Sequence, residues 1–118
     1  LRDLADSANT TSVRVDLTVS GSAFELPHDY QSAIFKLCRE GITNAIRHGN
    51  ADEINLILRF GSDRMEVYVI DNGIGSTQVK KGMGIRGMQE TVESLGGSLT
   101  YGSFGDSGFH LQAALPWE

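Results

Sequence analysis

The run Arg39-Glu40-Gly41-Ile42-Thr43-Asn44-Ala45-Ile46-Arg47-His48-Gly49-Asn50-Ala51 closes a stretch with a helical period. From His28 to about His48, the residues Tyr30, Ile34, Leu37, Cys38, Ile42, Ala45 and Ile46 fall on one apolar stripe. Gly49 and Asn50 are suitable C-terminal caps. Glu40, Asn44 and His48 recur at every fourth position, so a helix sets them in a row beside that stripe, with Arg47 next to them. An amide oxygen is a hard ligand that suits magnesium, and a carboxylate one turn away can orient or deprotonate an attacking group. The same row also reads as the solvated face that most helices carry.

Outward from this helix the period changes. Val13, Val15, Leu17 and Val19 alternate with polar residues before it, and Ile54, Leu56 and Leu58 do so after it, followed by Met65, Val67 and Val69. These patterns predict half-buried strands, the last two joined as a hairpin at Gly61-Ser62-Asp63. Residues 71–87 are glycine-rich. A helix is expected from about Ile85 to Leu95, ended by Gly96-Gly97. A closing pair of strands, Leu99–Phe104 and Phe109–Leu115, flanks a turn at Gly105-Asp106-Ser107-Gly108. Leu1, Leu4 and Ala8 have helical spacing at the start. The order α-β-α-β-β-α-β-β, with neighbouring strands joined by tight turns, predicts a two-layer α/β sandwich. Its sheet is mixed and largely antiparallel, with the helices on one face. At 118 residues, with no internal repeat or linker, the chain reads as one domain, 1–118.

Composition narrows the function. The net charge of −5 argues against a general grip on nucleic acid, which needs a basic surface. An apolar fraction of 40% argues against global disorder. Cys38 is the one cysteine, so no internal disulfide can form, which fits a reducing compartment. No apolar run approaches a membrane span and no signal-peptide pattern opens the chain.

Two further segments carry chemistry. Asp71-Asn72-Gly73-Ile74-Gly75 follows a predicted strand directly. An aspartate there can accept a hydrogen bond from a buried amino group, and the glycines let backbone approach a ligand, although Asp-Asn-Gly is also good turn chemistry. Gly82-Met83-Gly84-Ile85-Arg86-Gly87-Met88 opens a predicted helix, whose free N–H groups suit phosphate oxygens, with Lys80 and Lys81 adding positive charge. The spacing is not that of a Walker A loop. It matches the G-x-G-x-x-G string but lacks the preceding strand of a dinucleotide fold, and the nearest acids, Glu90 and Glu93, lie inside the following helix.

Taken together, the order and spacing of these three segments resemble the GHKL ATPase superfamily, whose nucleotide site is called the Bergerat fold. Residues 39–51 look like its N box, 71–75 like its first glycine box and 82–88 like its second. The likeness covers roughly residues 30–116. The six-residue lid between Gly75 and Gly82, the Arg47-His48-Gly49 context and the Gly-Met-Gly-Ile-Arg-Gly-Met string resemble one branch. That branch comprises sensor histidine kinases related to the nitrate sensors and to the lipid-fluidity sensor of bacilli.

The resemblance implies an ATP-binding catalytic domain of a two-component histidine kinase that uses magnesium-ATP. In it Asp71 would bind the adenine amino group, Asn44 would hold magnesium and Glu40 would act as general base. Arg47, His48 and Lys81 would approach the phosphates or ribose. Gly73, Ile74 and Gly75, with Gly82, Met83, Gly84, Ile85, Gly87 and Met88, would line the nucleotide. None of His28, His48 and His110 has the context of a phosphoacceptor, so the acceptor is expected on a dimerisation domain preceding Leu1. Implied partners are that domain and, through it, a response regulator. The domain alone would be monomeric and cytoplasmic, and the parent a homodimer. An anti-sigma-factor-like serine kinase and a non-catalytic nucleotide-sensing module share the fold and are the alternatives. In one departure, relatives often carry Gly-Thr before the last strand where this chain has Gly108-Phe109, and phenylalanine cannot donate the threonine's hydrogen bond.

Overall fold

A computed structural model describes residues 2–8, 13–21, 26–47, 51–74, 84–103 and 107–116. Its elements, in chain order, are α1 (Arg2–Ala8), β1 (Arg14–Gly21), α2 (His28–Arg47), β2 (Glu53–Phe60), β3 (Arg64–Ile74), α3 (Ile85–Ser94), β4 (Ser98–Ser103) and β5 (Ser107–Pro116). The predicted order of elements is the observed one.

The strands form one sheet in the order β1-β2-β3-β5-β4. β1 and β2 are parallel, with Val15 opposite Ile54 and Val19 opposite Leu58, and α2 is the crossover between them. Every other pair is antiparallel. The β2–β3 hairpin closes where predicted, with Gly61 N–H bonded to Arg64 O at 2.9 Å.

Alternation on the strands sorts the two faces. Ile54, Leu56 and Leu58, Met65, Val67 and Val69, and Leu111, Ala113 and Leu115 are all buried and form one core with the helices. Each buried Leu or Ile contributes about 1.5–3 kcal/mol by leaving water. The opposite face is polar: Tyr68 Oη donates to Glu66 Oε2 at 3.2 Å, and Gln112 Nε2 donates to Tyr68 Oη at 3.3 Å. A covered face and a wet face make the two-layer sandwich that the sequence predicts.

Details differ from the sequence reading. Ile46 is 41% exposed, off the apolar stripe, because it lies roughly 160° round the helix from Tyr30 at 3.6 residues per turn. Asn44 lies within the buried face instead, 4% exposed. β3 does not stop at Ile70 but runs to Ile74, because β5 continues alongside and supplies partners there. Ser107 and Gly108, expected in the last turn, belong to β5 for the same reason.

Candidate functional site

α2 lies very close to the sheet. A Cβ on Gly41 would come within 2.7 Å of Val69 Cγ1, so glycine at this position is what lets α2 settle on β3. Val69 and Asp71 share one face of β3, two residues apart. The close seat of α2 therefore brings the row holding Glu40 and Asn44 beside the strand end that carries Asp71.

Asp71 is 7% exposed. Its Oδ1 accepts the Gly73 N–H at 2.8 Å. The Phe109 N–H, opposite it on β5, also bonds to the carboxyl. Burial pushes its pKa above the ordinary carboxylate value, while these two hydrogen bonds pull the other way. An ionised carboxylate has about four lone-pair sites, so capacity remains for an amino donor. The ladder with β5 shifts register between Asp71 and Ile74, a bulge of the kind that re-aims side chains beside sites. Phe109 is 7% exposed, its ring centroid 6.4 Å from that of Tyr101.

The described part of the second glycine segment, from Gly84 on, meets Glu40. Gly84 caps α3 with φ +74°, a left-handed conformation that glycine adopts without strain. A Cβ here would lie 2.9 Å from Glu40 Oε2. The Glu40 carboxylate therefore sits directly against the start of α3, 44 positions along the chain. Met88 N–H makes a helical bond to Gly84 O at 3.0 Å, so the N–H groups of Ile85, Arg86 and Gly87 precede the helical ladder. The side chains of Ile85 and Met88 are core, 4% and 1% exposed; the Ile85 backbone N–H stays open to a ligand, whereas the Met88 N–H is used within α3.

Of the other expected site residues, Arg47 is exposed at the end of α2 and Gly73 is buried beside Asp71. Ile74 ends β3. His48, Gly75, Lys81, Gly82 and Met83 lie outside the described residues. Among the described residues no group of three His, Cys, Asp or Glu forms a metal cage. Magnesium carried by phosphates needs no such cage and takes one or two protein oxygens, for which the Asn44 amide is chemically suited.

Two polar links here are not apparent in the sequence. Lys36 Nζ donates to Thr91 Oγ1 at 3.4 Å, and Thr91 Oγ1 donates to Gly87 O at 2.9 Å, tying α2 to the first turn of α3. The signal available was position: Lys36 is one turn before Glu40. The Asn72 side chain bonds to residue 52, 20 positions back, and residue 53, 19 positions back, and no local pattern marks that contact. A groove of about 750 Å³ also opens between α2, β1 and β2, but none of Glu40, Asn44, Asp71 and Gly84 lines it.

Comparison with known proteins places the chain in a family. The family described as "Histidine kinase-, DNA gyrase B-, and HSP90-like ATPase" matches residues 29–118. The chain belongs to this family. It is 29% identical to the sensor histidine kinase YxjM of Bacillus subtilis over 107 residues, which are 90% of this chain and 26% of that protein. It is 35% identical to the nitrate/nitrite sensor protein NarQ of Escherichia coli over 106 residues, 86% of this chain and 19% of NarQ. The chain thus spans about a quarter or less of these relatives. The histidine kinase domain of a blue-light activated kinase from Erythrobacter litoralis superposes with a TM-score of 0.72 at 20% identity, covering 98% of this chain and 56% of that one. The catalytic domain of histidine kinase ThkA superposes with a TM-score of 0.74 at 13% identity, covering 98% and 91%. At these identities the likeness speaks for the fold. Among the described residues no helix is long and apolar enough to cross a membrane.

Proposed function

We propose that residues 1–118 form a single ATP-binding catalytic domain of a two-component sensor histidine kinase. In this reading the domain delivers magnesium-ATP to a histidine on a separate dimerisation domain. The observation that carries it is the approach of Glu40 to Gly84, which sets an acid beside the N–H groups that open α3. Those N–H groups, with the partial positive charge of the helix end, suit the phosphates. Asp71, at the far side of α2's seat on β3, reads the adenine amino group. Asn44 would hold the magnesium, which neutralises phosphate charge when bound. Arg47, His48 and Lys81 approach the phosphates or ribose, and Gly73, Ile74, Gly75, Gly82, Met83, Gly84, Ile85, Gly87 and Met88 line the nucleotide.

Phosphoryl transfer is mostly positioning and charge stabilisation, so these parts suffice on the ATP side. Glu40 takes the proton of, or orients, the incoming imidazole. The described histidines are poorly placed as acceptors. His28 is exposed at the start of α2, and His110 alternates with buried Phe109 and Leu111, on the face away from the helices. The acceptor domain, a response regulator beyond it, a homodimeric parent and a cytoplasmic location belong to the same reading. No observation favours the serine-kinase or non-catalytic alternatives. The experiment is calorimetric titration with magnesium-ATP, then incubation of the ATP-loaded chain with the parent's dimerisation domain. Binding in the micromolar-to-millimolar range and acid-labile phosphate on that domain are expected. No binding at millimolar ATP, or acid-stable phosphoserine as product, would overturn it.

A further inference from the structure

We propose that Asn72 is a positioning residue of the nucleotide site, which fixes the direction of the Asp71 carboxylate by holding the end of β3 against the exit of α2. The inference rests on the reading of Asp71 as the group that recognises adenine.

Both ends of the Asn72 amide are engaged. Its Oδ1 accepts the N–H of Asp52 at 3.1 Å and of Glu53 at 2.9 Å, and its Nδ2 donates to Asp52 Oδ1 at 2.6 Å. Two backbone donors on one side and a carboxylate on the other leave the amide a single orientation. The partners are themselves anchored. Ala51, the preceding residue, is 6% exposed and donates its N–H to Ala45 O at 2.9 Å, which ties the segment to the last turns of α2. Asp52 O in turn accepts the Arg14 N–H of β1 at 2.8 Å.

The placement matters because the sheet does not fix the backbone here. The β3–β5 register breaks between Asp71 and Ile74, so Asn72 and Gly73 lie within the bulge. Gly73 supplies the N–H that bonds Asp71 Oδ1. A rotation of the Asn72 peptide would move that donor and turn the carboxylate with it. Asn72 itself is exposed and adds nothing to the core. What its three bonds secure is geometry: they connect the α2 end of the site to its adenine end across twenty positions of sequence.

The chemistry gives a specific test, made on the 118-residue chain with Asn72→Ala, Asn72→Asp and the swap Asp52→Asn/Asn72→Asp. In Asn72→Asp the carboxylate still accepts both N–H groups but faces the Asp52 carboxylate. In the swap, the carboxylate now at position 72 accepts the same two N–H groups and the amide now at position 52, so all three bonds return with one polarity reversed. Dissociation constants for magnesium-ATP and magnesium-GTP are measured by calorimetry, with the melting temperature recorded alongside.

Each single variant should weaken ATP about tenfold, the scale on which a displaced binding group loses contact. It should also narrow the ATP-over-GTP preference, because guanine presents a carbonyl where adenine presents its amino group. The swap should return ATP binding to within about threefold of the parent chain. ATP constants and nucleotide preference unchanged in Asn72→Ala and Asn72→Asp, whatever the melting temperature does, overturn the proposal. A swap as weak as Asn72→Asp also overturns it, and that arm stands even where Asn72→Ala fails to fold. Parent chain that binds no ATP, or that binds it equally well as Asp71→Asn, overturns the nucleotide reading and this inference with it. That outcome is seen before any Asn72 variant is measured.

Discussion

Replacing Asp71 by asparagine separates what this residue does for ATP from what it does for the fold. The amide keeps one oxygen to accept the Gly73 N–H that Asp71 Oδ1 now accepts. With that oxygen turned toward the backbone donor, the –NH2 group takes the place of the second carboxylate oxygen. An adenine amino group then meets a donor where it met an acceptor. A hydrogen bond to a charged group contributes about 1.5–3 kcal/mol, and a donor left without an acceptor in a buried site costs about 1–3 kcal/mol more. A combined loss of about 3 kcal/mol corresponds to roughly hundredfold weaker ATP binding. Calorimetric titration of both proteins with magnesium-ATP measures the ratio directly.

The same substitution makes a second prediction, of opposite sign. Burial holds the Asp71 pKa above its ordinary value, so between the two values the folded chain binds more protons than the unfolded one. Stability from this group is therefore greatest at acid pH and falls as pH rises through that window. Asparagine has no such dependence. Without nucleotide, Asp71→Asn should melt at or above the parent temperature at neutral pH, and the gap should close on acidification toward about pH 4. Thermal melts between acid and neutral pH test this. An Asp71→Asn variant that binds ATP within about threefold of the parent, or that is destabilised most at neutral pH, refutes the reasoning.

Glu40→Gln keeps the shape of the side chain beside Gly84 but cannot take a proton. Phosphoryl transfer to the acceptor domain should fall by about 10²–10⁴ with the ATP dissociation constant changed little, as quench-flow and calorimetry would report. Gly84→Ala faces both a positive φ and a carboxylate oxygen 2.9 Å from the new methyl group. It should cost about 1–2 kcal/mol of stability in chemical denaturation, and transfer should fall with it as Glu40 is displaced. Cys38 is fully buried, and burial pushes its thiol up to about 12. It should resist thiol reagents at about pH 8 until the chain unfolds, so labelling that tracks denaturant is expected and rapid labelling of the folded chain is not.

What was legible in the sequence follows from the range of each signal. The stripe from Tyr30 to Ala45 and the alternation at 54–58 and 65–69 are local periodicities imposed by burial on one face, and they mark α2, β2 and β3 where they stand. Pairing is not local. Nothing near Val15 indicates that it lies parallel to Ile54, and nothing near Leu111 places β5 between β3 and β4. The continuation of β3 past Asp71 was hidden for the same reason, since Ser107, 33 positions from Ile74, sustains it. Asn72 reads as a turn residue until its partners at 52 and 53 are seen.

The site motifs were legible for a different reason: each is dictated by close approach, and close approach selects glycine. Gly41 has no room for a Cβ against Val69, and a Cβ on Gly84 would push the Glu40 carboxylate aside. The first contact sets the distance from α2 to the strand bearing Asp71, and the second leaves the Glu40 carboxylate its place against the start of α3. Glu40 and Asn44 ride on the element held between them. A larger residue at Gly41 would alter the spacing between the functional side chains, and one at Gly84 would displace the Glu40 carboxylate. In the proposed reading, that spacing brings an adenine reader, a metal ligand and a base onto one nucleotide. The glycines that look like mere loop punctuation in the sequence are thus as specific to this chemistry as the carboxylates they bring together.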